Sequence, residues 1–368
     1  MRWLYRLQPQ RAFLAVSLRD GLTAVRVEPP ASAGGRLRAT LAVQHRDAAA
    51  GARALRASGA LRSAQQILLL PTALRTFHSL PRPEVPDNEL NEAVRWQLAP
   101  NLDHAPEQAL VQVLPLPALS DNPLQQLLAV VAHGPTVREH LAPLHAAGWA
   151  PTIVDIEETA QRNLMLLAAG EEAAMACVGF ADSDALITLV AGGELCLTRS
   201  HAFDPLDPAA AIERLALQVQ RTLDGFERQT THFAVRNLLL LPGPLGTGLV
   251  AALAAQVLAK LRPVTLSELF DFSEGARAAL DEPTLYAHLL GSAAGRLLAL
   301  GTAAVPEPDE ATSRAFADTV ASEIPDDSAD PPAPEDAAVA LPFRFEPPFE
   351  AGGSAEREAL TLRSRADA

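Results

Sequence analysis

The chain has 368 residues, 48% of them hydrophobic, enough for two cores of ordinary size. Its formal charge of −14 is uneven: residues 304–368 hold 15 Asp/Glu and 5 Arg, leaving 25 basic against 29 acidic side chains in residues 1–303. That near-balance offers no basic stripe for nucleic acid, and the single lysine, Lys260, is followed by Leu261, which excludes a P-loop and disfavours lysine-dependent chemistry.

MRWLYRLQPQR has basic residues on both sides of a very short apolar run, so no signal peptide is predicted. Residues 12–28, AFLAVSLRDGLTAVRVE, alternate as two hairpin strands around a polar elbow, and 37–44 continue the alternation. Residues 48–62 are Ala-rich and helical, and QILLLP (66–71) is a short buried strand. An insert-like section follows. Pro86 and Asp87 start a helix with Leu90, Ala93, Val94 and Leu98 on one face, ended by Pro100, and VQVLPL and LQQLLAVVAH supply strands. Trp96 lies off that stripe, which suits either an interface or a cover over a neighbouring loop. Pro135 opens a helix to Gly148, on which His140 and His145 point about 140° apart and make a poor metal pair. TIVDIE (152–157) is a strand and 158–169 a helix.

The opening pattern then returns as ACVGFADSDALITLVAGGELCLTR (176–199). Cys177 and Cys196, inside its strands, read as reduced core thiols. Asp207 as N-cap and Pro208 as first helical residue begin a long helix through Gln229, with Ile212, Leu215, Val219, Leu223 and Phe226 on one side. Residues 238–259, LLLLPGPLGTGLVAALAAQVLA, are uncharged and long enough to span a membrane. Pro242, Gly243, Pro244, Gly246 and Gly248 interrupt them, so a buried strand, a turn and a buried helix are predicted in a soluble chain. VTLSELF and an apolar helix over 284–303 close the periodic part. From Ala304 onward nine prolines and the acidic excess predict a tail that does not fold. Its FRFEPPF (343–349) is either a docking motif or a chance apolar cluster.

Catalytic signatures are scarce. HExxH, GxSxG and CxxC do not occur, and GSAAG (291–295) reads as close helix packing. Five stretches, PRPEVPDNELNEAVRWQL (81–98), TIVDIEETAQRNL (152–164), LALQVQRTLDGFERQ (215–229), LLLLPGP (238–244) and LGSAAGRLLALGTA (290–303), resemble in order and spacing the MshI family of MSHA-type pilus biogenesis proteins. That family is similar to PilM of type IV pili and to the cytoplasmic part of GspL from type II secretion. The resemblance covers residues 66–303 well, 12–65 loosely and the tail not at all.

The resemblance implies an α/β, actin-like (duplicated ribonuclease-H-like) fold of two lobes. The first lobe would be residues 1–173, with a small α+β subdomain inserted at about 77–134. The second would be 174–303, its helix 284–303 packing back on the first, and 304–368 the acidic tail. It further implies a non-catalytic cytoplasmic scaffold, peripheral to the inner membrane, that holds the N-terminal peptide of a PilN-like single-span partner beside the inserted subdomain, with Trp96 contributing. An assembly motor ATPase is a further implied partner. The alternative is an actin-like ATP-binding switch.

In actin-like nucleotide binders each elbow reads hydrophobic-Asp-hydrophobic-Gly, the carboxylate ordering the metal's waters and the glycine admitting phosphate to backbone N–H groups. Here VSLRDG has Ser17 and Arg19 at those positions, with Asp20 out of register and Gly21 beyond. VGFADSD has Gly179 and Ala181, with Asp182 and Ser183 displaced. PGPLG keeps Gly243 and Gly246 but carries Pro244 at the second glycine of the usual pair. On the resemblance, Ser17, Gly21, Asp182, Ser183, Gly243 and Gly246 are the positions of a degenerate site, from which weak ATP binding or none, and no resident cofactor or metal, is expected; Asp182 and Ser183 equally suit the polar turn of a hairpin, and Gly243 and Gly246 a strand-to-helix turn. Truncation after residue 303 should leave the cooperative melting transition nearly unchanged, because the tail has too little apolar surface to offset its ordering entropy; a large drop in Tm would place it in the fold.

Overall fold

Two apolar strands with polar elbows begin two sheets of one design. A computed structural model describes residues 12–32, 34–115, 126–170, 174–181, 184–230 and 234–299. The first half runs β1 (Ala12–Ser17), β2 (Leu22–Glu28), β3 (Leu37–His45), α1 (Ala48–Ser58) and β4 (Ala64–Leu69). After an insert it resumes at β8 (Ile153–Asp155) and α5 (Glu157–Ala169). The insert holds β5 (Thr76–Pro81), α2 (Leu90–Gln97), β6 (Ala109–Pro115) and β7 (Gln126–His133); between it and β8, α3 (Gly134–His140) and α4 (Ala142–Ala146) pack in the first half's core with Leu14, Ala52 and Leu55. The second half runs β9 (Met175–Ala181), β10 (Asp184–Ala191), β11 (Glu194–Ala202), α6 (Pro208–Gln229), β12 (Asn237–Leu240), α7 (Gly246–Gln256) and β13 (Lys260–Pro263). It ends with α8 (Leu266–Leu269), β14 (Phe270–Phe272), α9 (Ala278–Asp281) and α10 (Pro283–Ala299).

The sheet orders are β14-β3-β2-β1-β4-β8 and β11-β10-β9-β12-β13. With β14 set aside, each half places its own strands in the order third, second, first, fourth, fifth. In both, the first strand pairs antiparallel with its hairpin mate and parallel with the fourth. The central strands β1 and β9 are buried along almost their whole length, which explains their continuous apolar sequence. β5, β7 and β6 form a separate antiparallel sheet. One face packs Leu80, Val111, Val113 and Val131 against Leu90, Val94 and Leu98 from the α2 region.

Local signals explain the helix limits. Asp47 Oδ1 accepts from the N–H groups of Ala49 and Ala50 at 2.8 and 3.0 Å to cap α1, and Gly59, at φ 78°, ends it. The helix expected over 48–62 is therefore shorter. Asp207 caps α6 through Ala210 N–H at 3.2 Å, and Leu215, Val219, Leu223 and Phe226 are buried as their spacing predicts, with Ile212 partly so. The helix expected from Pro135 to Gly148 breaks at Leu141 into α3 and α4, because Pro143 has no N–H to continue the ladder. His140 and His145 thus lie on different helices. VTLSELF divides into a capped turn of helix, where Glu268 Oε1 accepts from Thr265 Oγ1 at 2.7 Å, and a strand that pairs parallel with β3.

α5 and α10 meet at two glycines. A β-carbon on Gly291 would collide with the Ala160 carbonyl, and one on Gly295 with the Asn163 amide. Gly291→Ala should therefore lower stability by about 1–3 kcal/mol through overpacking, read as a lower denaturation midpoint at unchanged m-value; a neutral result would mean that the two helices separate easily.

Candidate ligand cleft between the two hairpins

The first elbow follows β1. Ser17 Oγ accepts from the Arg19 N–H at 3.3 Å, Asp20 has φ 51° and Gly21 φ 118°. A side chain at Gly21 would strike the carbonyl oxygens of His45 and Arg46, so the elbow is seated tightly on the β3–α1 junction. Arg19 turns inward and donates from Nη2 to Glu157 Oε1 at 2.8 Å. Glu157 Oε2 accepts from Thr72 Oγ1 at 2.9 Å and from Arg75 Nη2 at 3.4 Å. Arg75 Nη2 also donates to Glu158 Oε1 at 2.9 Å, and its guanidinium lies 4.9 Å from the Phe77 ring centroid.

The charges are buried unequally. Burial alone would raise the Glu157 pKa, but His288, Arg19, Arg75 and the Thr72 hydroxyl together outweigh it, and the pKa falls below the usual carboxylate range. For fully buried Glu158 the desolvation cost exceeds the pull of Arg75, and the pKa rises.

Gln161 sits one helical turn after Glu157. Its Nε2 donates to Leu186 O and Thr188 Oγ1, both at 3.0 Å, and to Cys177 O at 3.3 Å, all in the second sheet. Its Oε1 is 3.1 Å from His288 Nε2 of α10. A β-carbon at Gly179 would collide with that same Oε1. The register position where a metal-ordering carboxylate would project is thus filled by a neutral amide.

Across the second sheet, the Phe180 ring lies where a β-carbon of Gly243 would be, and it meets Phe203 edge-on with centroids 5.9 Å apart. The glycine of the PGPLG turn therefore serves an internal aromatic contact. Gly246, at φ 54°, begins α7 with nothing within 4 Å of its β-position. Asp182 and Ser183 lie outside the described residues. Trp96 is far from this cleft in sequence and element: it stands on α2, 50% exposed, donating from Nε1 to Glu92 Oε1 at 2.7 Å. Cys177 and Cys196 are free and buried, and burial pushes the Cys196 thiol up to about 12, which leaves it unreactive. Among the described residues, no group of three or more His, Cys, Asp or Glu is placed to hold a metal, and no helix is long and apolar enough to cross a membrane. Sequence reading missed Thr72, Arg75, Glu157, Glu158, Gln161 and His288, which carry the cleft's polar contacts.

No family model and no curated protein sequence matches the chain. Among solved structures it is similar to a chain of the PilM-PilN type IV pilus biogenesis complex, with TM-score 0.58 and 18% identity over 77% of this chain and 98% of that one. The fold is actin-like. Lower similarities are to the cytoplasmic domain of EpsL, an inner-membrane component of the type II secretion system of Vibrio cholerae (TM-score 0.40, 14% identity, 74% and 94% covered), and to an actin-like ATPase-fold protein from Bacteroides thetaiotaomicron (0.39, 12%, 71% and 93%).

His288 offers a titration test of the cleft. Its pKa is lowered, mainly by burial, with Arg19 and Arg75 adding to the shift against the opposing pull of Glu157. A folded-state pKa below the unfolded value of about 6.5 means that the stabilising contribution is complete above that value and is lost as pH falls through the folded pKa. His288→Gln should flatten the fall in Tm between about pH 7 and pH 5; the burial-lowered His78, His140 and His201 leave a residual slope. An unchanged slope would show that His288 titrates as in the unfolded chain.

Proposed function

We infer that the chain is a non-catalytic cytoplasmic scaffold of an inner-membrane assembly platform, of the type IV pilus kind and within it MshI-like. It holds the N-terminal cytoplasmic peptide of a PilN-like single-span membrane protein, and through that partner it is peripheral to the membrane. The assembly motor ATPase is its second contact. The fold shared with a chain of the PilM-PilN complex supports the assembly setting. The observation that carries the non-catalytic part is the second elbow: Gln161 Oε1 occupies the place that a side chain at Gly179 would need, so no carboxylate projects there to order a metal's waters. At the first elbow Ser17 stands in that place, its hydroxyl engaged by the Arg19 N–H.

Phosphoryl transfer relies on metal-held charge and positioned donors. Here the inward-facing cation of the first elbow is already satisfied by an internal carboxylate. The peptide contact is assigned to the insert because its helix presents a half-exposed tryptophan, and aromatic anchors commonly carry much of an interface's energy.

Calorimetry with ATP and Mg²⁺ should give no micromolar binding, whereas the cytoplasmic N-terminal peptide of a PilN-like protein should bind. Trp96→Ala should weaken the peptide about tenfold with the fold intact, consistent with loss of one anchor. Micromolar, Mg²⁺-dependent ATP binding would favour the nucleotide switch, and unaltered peptide affinity in the variant would take Trp96 out of the site.

A further inference from the structure

In actin-like nucleotide binders the two elbows face each other across a ligand. In this chain the polar contacts that approach both hairpins come from α5. Glu157 and Gln161 are four residues apart on that helix and so share one face. Glu157 receives Arg19 of the first elbow at 2.8 Å, and Gln161 donates into β9 and β10, the strands that flank the second, at 3.0–3.3 Å. α10 closes the set from behind: the buried His288 ring is bonded to Gln161 at 3.1 Å.

Burial makes these contacts costly to break. Glu157 is 5% exposed and Arg75, which shares its carboxylate, 1%, while Gln161 is wholly enclosed. A buried polar group that loses its partner incurs the full desolvation penalty, so such a network has few intermediate arrangements. Two features show that the backbone is shaped to it. Gly179 has no side chain where Gln161 needs room, and Gly291 and Gly295 let α10 approach α5 closely enough to deliver His288.

We propose that Glu157 and Gln161 on one face of α5, the first bonded to Arg19 and the second to His288 and to the strands of the second hairpin, fix the two hairpins relative to each other, in the role that a bound nucleotide plays in actin-like nucleotide binders. The angle between the lobes is then set by the chain itself, whichever partner it serves. Its consequence is coupling between two hairpins that belong to different sheets: loosening either end should loosen the other.

Hydrogen exchange on the full-length protein tests this, with Arg19→Met as the first variant because Arg19 is 24% exposed and its loss leaves Glu157 paired with Arg75. Exchange in residues 175–181 and 184–191, across the cleft from the substitution, should rise about tenfold, while α6 and the insert strands stay as in the parent. Gln161→Leu, of similar volume, should act reciprocally on residues 12–28. Millimolar ATP with Mg²⁺ should alter neither hairpin in the parent protein. Three results would overturn the proposal: an effect of Arg19→Met confined to residues 12–28, a uniform rise over the whole chain, or protection of both hairpins by MgATP.

Discussion

A polar helix buried between the second sheet and α10 is the constraint on which the rest of this molecule depends. α5 reads EETAQRNLMLLAA, and nearly every residue in it, including Glu157, Glu158, Gln161, Arg162 and Asn163, is buried. Each of those groups must find a partner or lose about 1–3 kcal/mol. Arg162 Nε donates to Gly193 O at 2.7 Å in the second hairpin's far turn, and Asn163 Nδ2 to Gly291 O at 3.1 Å in α10. Just before the helix, Asp155 accepts from Ser292 at 2.7 Å and from Thr159. These contacts fix where the second sheet and α10 can sit. The two halves of the fold are thus registered by polar satisfaction at one helix as much as by their apolar cores.

That registration explains the chain's late return to its first sheet. β14 adds beside β3 and α10 crosses β1 and β2, so the last described elements of the second half cover the first. The largest apolar cluster accordingly draws on both halves: Phe13, Val25 and Ile67 pack with Met175, Leu239, Phe270 and Tyr286 in one core. A polar belt around α5 inside such a shared core favours one arrangement over others, since any sliding of α10 would break the bonds from Asn163 to Gly291 and from Ser292 to Asp155. The two helix glycines belong to the same logic, because close approach is what brings the α10 groups within bonding distance.

Periodic elements were legible in the sequence, and the cleft was not. α6 announces itself by Asp207, Pro208 and a heptad-like stripe, and both hairpins by alternation around Asp, Ser and Gly; these are local signals, and local physics decides them. α5 misleads. Its first turns look like a solvent-facing helix start, since no rule of periodicity distinguishes a carboxylate that will meet water from one that will meet an arginine 138 positions away in the chain. The same holds for Gln161 and His288, 127 positions apart. The proline break in the α3–α4 region was readable in the sequence, since Pro143 stands inside the helix expected from Pro135 to Gly148. At Gly179 the absence of a carboxylate was evident from the sequence; what fills the space was not, because it comes from another element.

That last point distinguishes the proposed non-catalytic arrangement from a nucleotide site that is simply empty. A cleft that merely lacked carboxylates would leave open space at their positions, with polar groups around it turned to solvent. Here the space at Gly179 is taken by Gln161, the space at Gly243 by the Phe180 ring, and the first elbow's arginine is drawn onto Glu157. Each replacement uses a side chain whose other contacts are structural: Gln161 holds two strands of the second sheet, Phe180 packs on Phe203, and Glu157 anchors Thr72 and Arg75 as well. Restoring a single carboxylate at Gly179 would therefore not restore a metal site. It would have to displace Gln161, and with it the bonds to Leu186, Thr188 and Cys177, so the cost is spread over the contacts of α5 with the second sheet.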